Sequence, residues 1–146
     1  MSPLKTLVIV CTALVVVTMS CSTSGSTTPL PDPIDIHAVN FSDTTYPVLE
    51  IYAPAENQVF ANGDTIKIDG KVTDNSLYRG SIRITNDATG AILKDQAYEI
   101  HGLGLYNFHL EQKATVSVIT NYTVSVQFED HGRNNNYKAV KIIVNP

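Results

Sequence analysis

The chain is predicted to fold as an antiparallel β-sandwich of about seven strands, and three observations carry that reading. In the stretch Asn121–Asp130, Tyr122, Val124, Val126 and Phe128 alternate with Thr123, Ser125, Gln127 and Glu129. This is the period-two pattern of a strand with one face on a core and one in water. Turn signals recur every roughly 8–12 residues along the second two thirds of the chain, as sandwiches require. No stretch of that part carries a helical period.

The N-terminus is of a different kind. Lys5 precedes the apolar run Leu7–Val17, which is short for a membrane span and suited to the core of an export signal. Thr18-Met19-Ser20-Cys21 follows, then the small polar tract Ser22–Thr28. The pattern resembles a bacterial lipobox, in which a small residue precedes the cysteine that is acylated and becomes the new N-terminus. Cys21 is therefore the expected lipidation site, carrying palmitate-type chains, and residues 1–20 the lipoprotein signal peptide. The two cysteines of the chain, Cys11 and Cys21, both lie here, so the body of the protein has no disulfide and no thiol chemistry. Each buried methylene of an acyl chain contributes about 0.8 kcal/mol, and more than one chain is needed for stable anchoring.

Residues 21–43 read as a disordered tether. They are rich in Ser, Thr and Pro, including Pro29-Leu30-Pro31-Asp32-Pro33, and cannot bury enough apolar surface to offset their ordering entropy. Ile34, Ile36, Val39 and Phe41 are the exception, suited to a short strand or to lying against the edge of the domain. The sandwich is expected over 44–146.

Within it, Pro47–Tyr52 makes a first strand closed by Pro54, which cannot donate to a ladder. Asn57–Ala61 forms an edge segment, and Asn62-Gly63 a tight turn in which glycine permits positive φ. Thr65–Val72 is a core strand with Ile66, Ile68, Gly70 and Val72 inward. A turn at Asp74-Asn75 leads to a strand from Leu77 to Thr85, with Ile82 and Ile84 inward. Asn86–Gly90 reads as a hairpin connection. Strands at 91–100 and 106–111 are separated by a turn at His101-Gly102-Leu103-Gly104. After Asn121–Asp130, the loop 131–136 leads into a final strand, Lys138–Val144.

Pro54 with Asn57, Phe60 before Gly63-Asp64, Gly70–Asn75, and Tyr122–Val126 before Asp130–Asn134 together resemble the immunoglobulin-like domains of bacterial cell-envelope lipoproteins, above all those of Bacteroidota. The resemblance implies an immunoglobulin-like sandwich in an accessory or adhesion-type envelope module. The antibody-type core tryptophan and inter-sheet cysteine pair are missing, so an immune-type binding mode is not implied. Tyr122 stands where a tyrosine corner would tie loop to strand. Ser22–Thr28 carries no charge, so no acidic surface-export signal follows Cys21. Lipid anchoring in the outer membrane is expected, facing either the periplasm or the cell surface.

The chemistry the sequence offers is sparse. Basic residues number 10 and acidic residues 14; loss of Lys5 with the signal leaves 9 against 14, a net charge of −5. That excludes nucleic acid as a partner, because phosphate binding requires a basic surface. No Gly-x-Ser-x-Gly or His-Glu-x-x-His motif occurs, so no enzyme is expected and no cofactor. His37, His101, His109 and His131 are scattered and lack paired zinc-ligand spacing. No metal site is expected: Glu56, Asp74 and Asp130, at strand ends, are the residues that could offer oxygens to calcium, but no dense Asp-x-Asp or Asp-x-Asn run occurs and starting turns is their plainer role. Tyr52, Tyr78 and Tyr137 are the candidate stacking aromatics. The candidate partner-binding loop is Arg133, Asn134, Asn135, Asn136 and Tyr137, whose side chains suit adaptable hydrogen bonding. The expected partners are the bilayer, through acylated Cys21, and a protein or glycan. Either a binding or adhesion module or a structural accessory subunit of an envelope complex fits these features.

Overall fold

A computed structural model of the protein describes residues 38–146. The export signal, Cys21, His37 and the tether through residue 37 lie outside them. Six strands follow in order: β1 Val48–Ala53, β2 Gln58–Ala61, β3 Thr65–Asn86, β4 Ile92–Lys113, β5 Thr120–Asp130 and β6 Asn135–Asn145. The fold is all-β, a single sheet curled on itself into a sandwich around one core. Every pairing is antiparallel except that of β2 beside β6 at one edge.

Six strands stand where about seven were expected because two of the anticipated turns do not form. Asp74-Asn75 lies inside the 22-residue β3, and His101–Gly104 inside the 22-residue β4. The two places face each other. Thr73 pairs with Leu105 and Leu77 with Leu103, so residues 74–76 of β3 stand against Gly104 alone. Arg79 then pairs with Glu99, leaving 100–102 of β4 against Tyr78. Extra residues on one strand bend it and increase its twist. Before this bend the other edge of β3 pairs with β1 through Asp69–Thr73; beyond it, that edge pairs with β5 through Leu77–Asn86. One long hairpin thus serves both layers of the sandwich.

The layers meet through the inward faces anticipated from the alternation. Leu49 on β1, Ile66, Ile68 and Val72 on β3 and Phe108 on β4 are buried, as are Ile82, Ile84, Val124, Val126 and Phe128 beyond the bend. Phe108 stacks on Phe128 with ring centroids 5.4 Å apart. Ile142 and Val144 of β6 close the same core. Burying each such side chain contributes about 1.5–3 kcal/mol. Strand β5 lies between β3 and β6, with Tyr122, Val124, Val126 and Phe128 inward.

Two expected turns are present. Gly63 adopts φ 92° and donates its N–H to the carbonyl of Ala114 at 2.9 Å, while Asn86 Oδ1 accepts the amides of Ala88 and Thr89 in the β3–β4 connection. Val39 and Phe41 belong to no strand, and Phe41 is exposed.

Candidate functional site

Three segments distant in sequence converge where β5 ends. Asp130 closes β5 and is completely buried. Its two carboxylate oxygens accept from Asn134, Oδ1 from the backbone N–H at 2.8 Å and Oδ2 from the side-chain Nδ2 at 2.9 Å. The reversal between them is tight: Arg133 has φ 66° and donates its N–H to the Asp130 carbonyl. Asn134 Nδ2 also donates to the carbonyl of Asp43 at 3.0 Å, drawing in the segment ahead of β1. The same segment is held by Asn40, whose N–H donates to the carbonyl of His131 at 2.8 Å. Gly132 lies so close that a Cβ there would come 2.9 Å from both Cβ and O of Asp43. The third segment is the bend of β3, where the Ser76 carbonyl accepts the His131 N–H and Asp74 Oδ1 accepts the Ser76 N–H.

Convergence places one carboxylate oxygen each of Asp43, Asp74 and Asp130 within 4.8 Å of one another. Their environments differ. The Thr45 amide N–H, 2.9 Å from Asp43 Oδ1, holds Asp43 below the usual carboxylate range. Burial pushes Asp74 up, and the charges of Asp130 and Asp43 add to the rise. Oδ2 of Asp74 is buried and receives no hydrogen bond. Among the described residues, no lysine or arginine forms an ion pair with any of the three.

Of Glu56, Asp74 and Asp130, the structure brings Asp74 and Asp130 together and leaves Glu56 apart. Glu56 accepts the backbone N–H of Lys141 at 3.0 Å and is bound to β6 instead. Asp43 takes its place. Its position at the end of a stretch read as tether hid it, although an aspartate two residues before Thr45 is an ordinary Asx-turn signal.

The loop residues divide. Arg133, Asn135 and Tyr137 are exposed, while Asn134 turns inward and Asn136 donates from Nδ2 to the Pro47 carbonyl at 2.8 Å. Asn135, Asn136 and Tyr137 lie within β6. Tyr137 borders a shallow trough of about 530 Å³ on the outer face of β3 and β5, with Arg83, Asp87, Thr123, Ser125 and Gln127. Within it Thr123 Oγ1 donates to Asp87 Oδ1 at 2.7 Å, and Arg83 is paired with Asp95.

The remaining aromatics and histidines are less scattered than their spacing suggested. Tyr78 lies 4.9 Å from both the His101 and His131 rings, beneath the guanidinium of Arg79. His109 Nδ1 is 2.5 Å from Asp69 Oδ1, across the β3–β4 ladder. Tyr52 is exposed on β1.

Among solved structures the chain is similar to the CARDB domain of a Pyrococcus furiosus protein, whose crystal structure is a complex with di-metal ions. The TM-score is 0.38 at 12% identity, covering 69% of this chain and 96% of that one. No protein-family model and no curated protein matches the chain.

Proposed function

We propose that the chain is a lipid-anchored protein of the bacterial cell envelope, held in the outer membrane through acylated Cys21, and that its sandwich is a non-catalytic module that binds a glycan. The trough beside Tyr137 carries the second part. It joins an exposed aromatic ring to a row of hydroxyl, amide and charged groups on the rigid outer face of β3 and β5. Sugars present apolar faces that stack on such rings and hydroxyls that hydrogen-bond to such groups. The apolar run Leu7–Val17 behind Lys5, with Ser20-Cys21 shortly after it, supports the anchor.

Two arms of one experiment test this reading. Metabolic labelling with a fatty-acid analogue should tag the protein, and Cys21→Ala should abolish the tag and release the protein from membranes. On an array of envelope and host glycans, the wild-type protein should bind a defined subset, with Tyr137→Ala and Gln127→Ala losing it. Labelling that persists in Cys21→Ala contradicts the anchor, and glycan binding indifferent to Tyr137 contradicts the trough.

A further inference from the structure

We propose that the chain forms a two-fold dimer in which β4 pairs with β4 of a second copy, antiparallel and centred on Leu110. On one side β4 hydrogen-bonds to β3, and among the described residues no strand pairs with its other side. From Leu105 to Lys113 this edge is regular. Its register with Thr65–Thr73 runs without a shift, and the segment holds no proline and no residue with positive φ. A row of backbone N–H and C=O groups left in this state is a template for another strand, and natural edges are commonly blunted by proline, a bulge or short length. None of the three blunts Leu105–Lys113.

The charges on the outer face decide the occupant. Charged side chains guard an edge by repelling most strands that approach it. Those of β4 match their own copy. His109 and Glu111 are exposed and stand beside Asp69 and Lys67 of β3, the first pair bonded through Nδ1 and the second bridged at 3.3 Å. In an antiparallel pair, residues equally far from the centre stand opposite each other on one face. With Leu110 at the centre, His109 of each copy faces Glu111 of the other, and Asn107 faces Lys113. Across the four strands the row reads Asp69, His109, Glu111, Lys67, alternating in sign once His109 is protonated, and the two-fold axis repeats it. The neighbouring registers lose this match. Centring on His109 sets that residue against itself, and centring on Glu111 sets carboxylate against carboxylate, which destabilises the pair. Ala38 lies against His131 at the bend end of each copy. The starts of the two described chains therefore lie at opposite ends of the dimer, an arrangement suited to copies held on facing surfaces.

Sedimentation equilibrium of the full chain in detergent at pH 6, where His109 is charged, tests the proposal. Pairing along a strand edge buries a small area, so a Kd on the order of 10–100 µM is expected. Asn107 is exposed and opposite Lys113 in the dimer, so a charge placed there acts twice. Asn107→Asp should tighten the dimer by about tenfold, and Asn107→Lys should weaken it by about as much. Both variants should unfold close to wild type, since the position is in solvent. Amide exchange of the wild type reads the place of contact. Protection of residues 105–113 should rise with protein concentration, while that of the β1 edge, Val48–Ala53, should not. A chain that stays monomeric to about 1 mM leaves the edge to a strand of another protein and overturns the assignment. The same Kd in Asn107→Asp and Asn107→Lys, or concentration-dependent protection away from β4, would overturn it as well.

Discussion

The ring of Phe128 lies directly against the Cα of Gly80 on the neighbouring strand: a Cβ at position 80 would stand 2.2 Å from Cδ1 and 2.3 Å from Cε1 of that ring. The two residues are register partners of β3 and β5. Gly80 is therefore required for space, since the ring cannot retreat: it is wholly buried and stacked on Phe108.

Gly80→Ala should consequently destabilise the domain by about 1–3 kcal/mol or more, the usual scale of overpacking. Phe128→Ala should cost about 3–5 kcal/mol through lost burial and the cavity left behind. Denaturant unfolding of the double variant should show marked non-additivity, because the methyl group at 80 clashes only while the ring is present. Strict additivity would mean that the ring does not occupy this place.

Asn134 provides a second test at the opposite extreme of polarity. Its side chain donates to both the buried Asp130 Oδ2 and the Asp43 carbonyl. Asn134→Ala leaves a buried carboxylate oxygen short of a donor, and hydrogen bonds to charged groups contribute about 1.5–3 kcal/mol. A loss of about 2 kcal/mol in urea unfolding is expected, with Asn135→Ala, at an exposed position, within about 0.5 kcal/mol of wild type. Equal effects would remove Asn134 from its structural role.

Much of the fold is legible in the sequence because burial imposes a period, and little of the site is because proximity does not. The alternation at Tyr122–Phe128 names the inward face of β5 without error, since each of those residues is buried. Asp74-Asn75 and His101–Gly104 mislead because aspartate, asparagine and glycine serve a chain reversal and a strand irregularity equally well. Only the partner strand decides between them, and the two irregularities are compensating: extra residues on β3 are followed by extra residues on β4. Asp43 is invisible for a related reason. Its role depends on Asn134, which reaches back across 91 positions to hold it.

The His109–Asp69 pair predicts a pH dependence. The hydrogen bond to Asp69 raises the His109 pKa above its usual value, with the charges of Asp69 and Glu111 adding to the rise and desolvation and Lys67 opposing it. A histidine raised in the folded state binds its proton more tightly there than in the unfolded chain. The resulting stability is full below the unfolded pKa of about 6.5 and is lost as pH rises through the higher folded value. Both side chains are substantially exposed, so the effect is small and shrinks with salt. An NMR titration should place the His109 midpoint above 6.5, the ordinary value, and Asp69→Asn should lower it. A midpoint unmoved by Asp69→Asn would contradict the pairing.

The whole architecture hangs on β5 as a middle strand with its even-numbered residues inward, and adjacent substitutions interrogate it directly. Val126 is fully buried between β3 and β6, while Gln127 is exposed. Val126→Asp would place an unpaired carboxylate in the core at a cost of several kcal/mol, against a total stability of about 5–15 kcal/mol for a domain. Gln127→Asp adds a charge in water and should stay within about 0.5 kcal/mol of wild type. The measurement is denaturant unfolding of the two variants side by side. The account predicts a barely folded Val126→Asp and a near-native Gln127→Asp. Equal losses would contradict it, and the inverse ranking would mean a register displaced by one residue, turning every side chain of β5 to the other face.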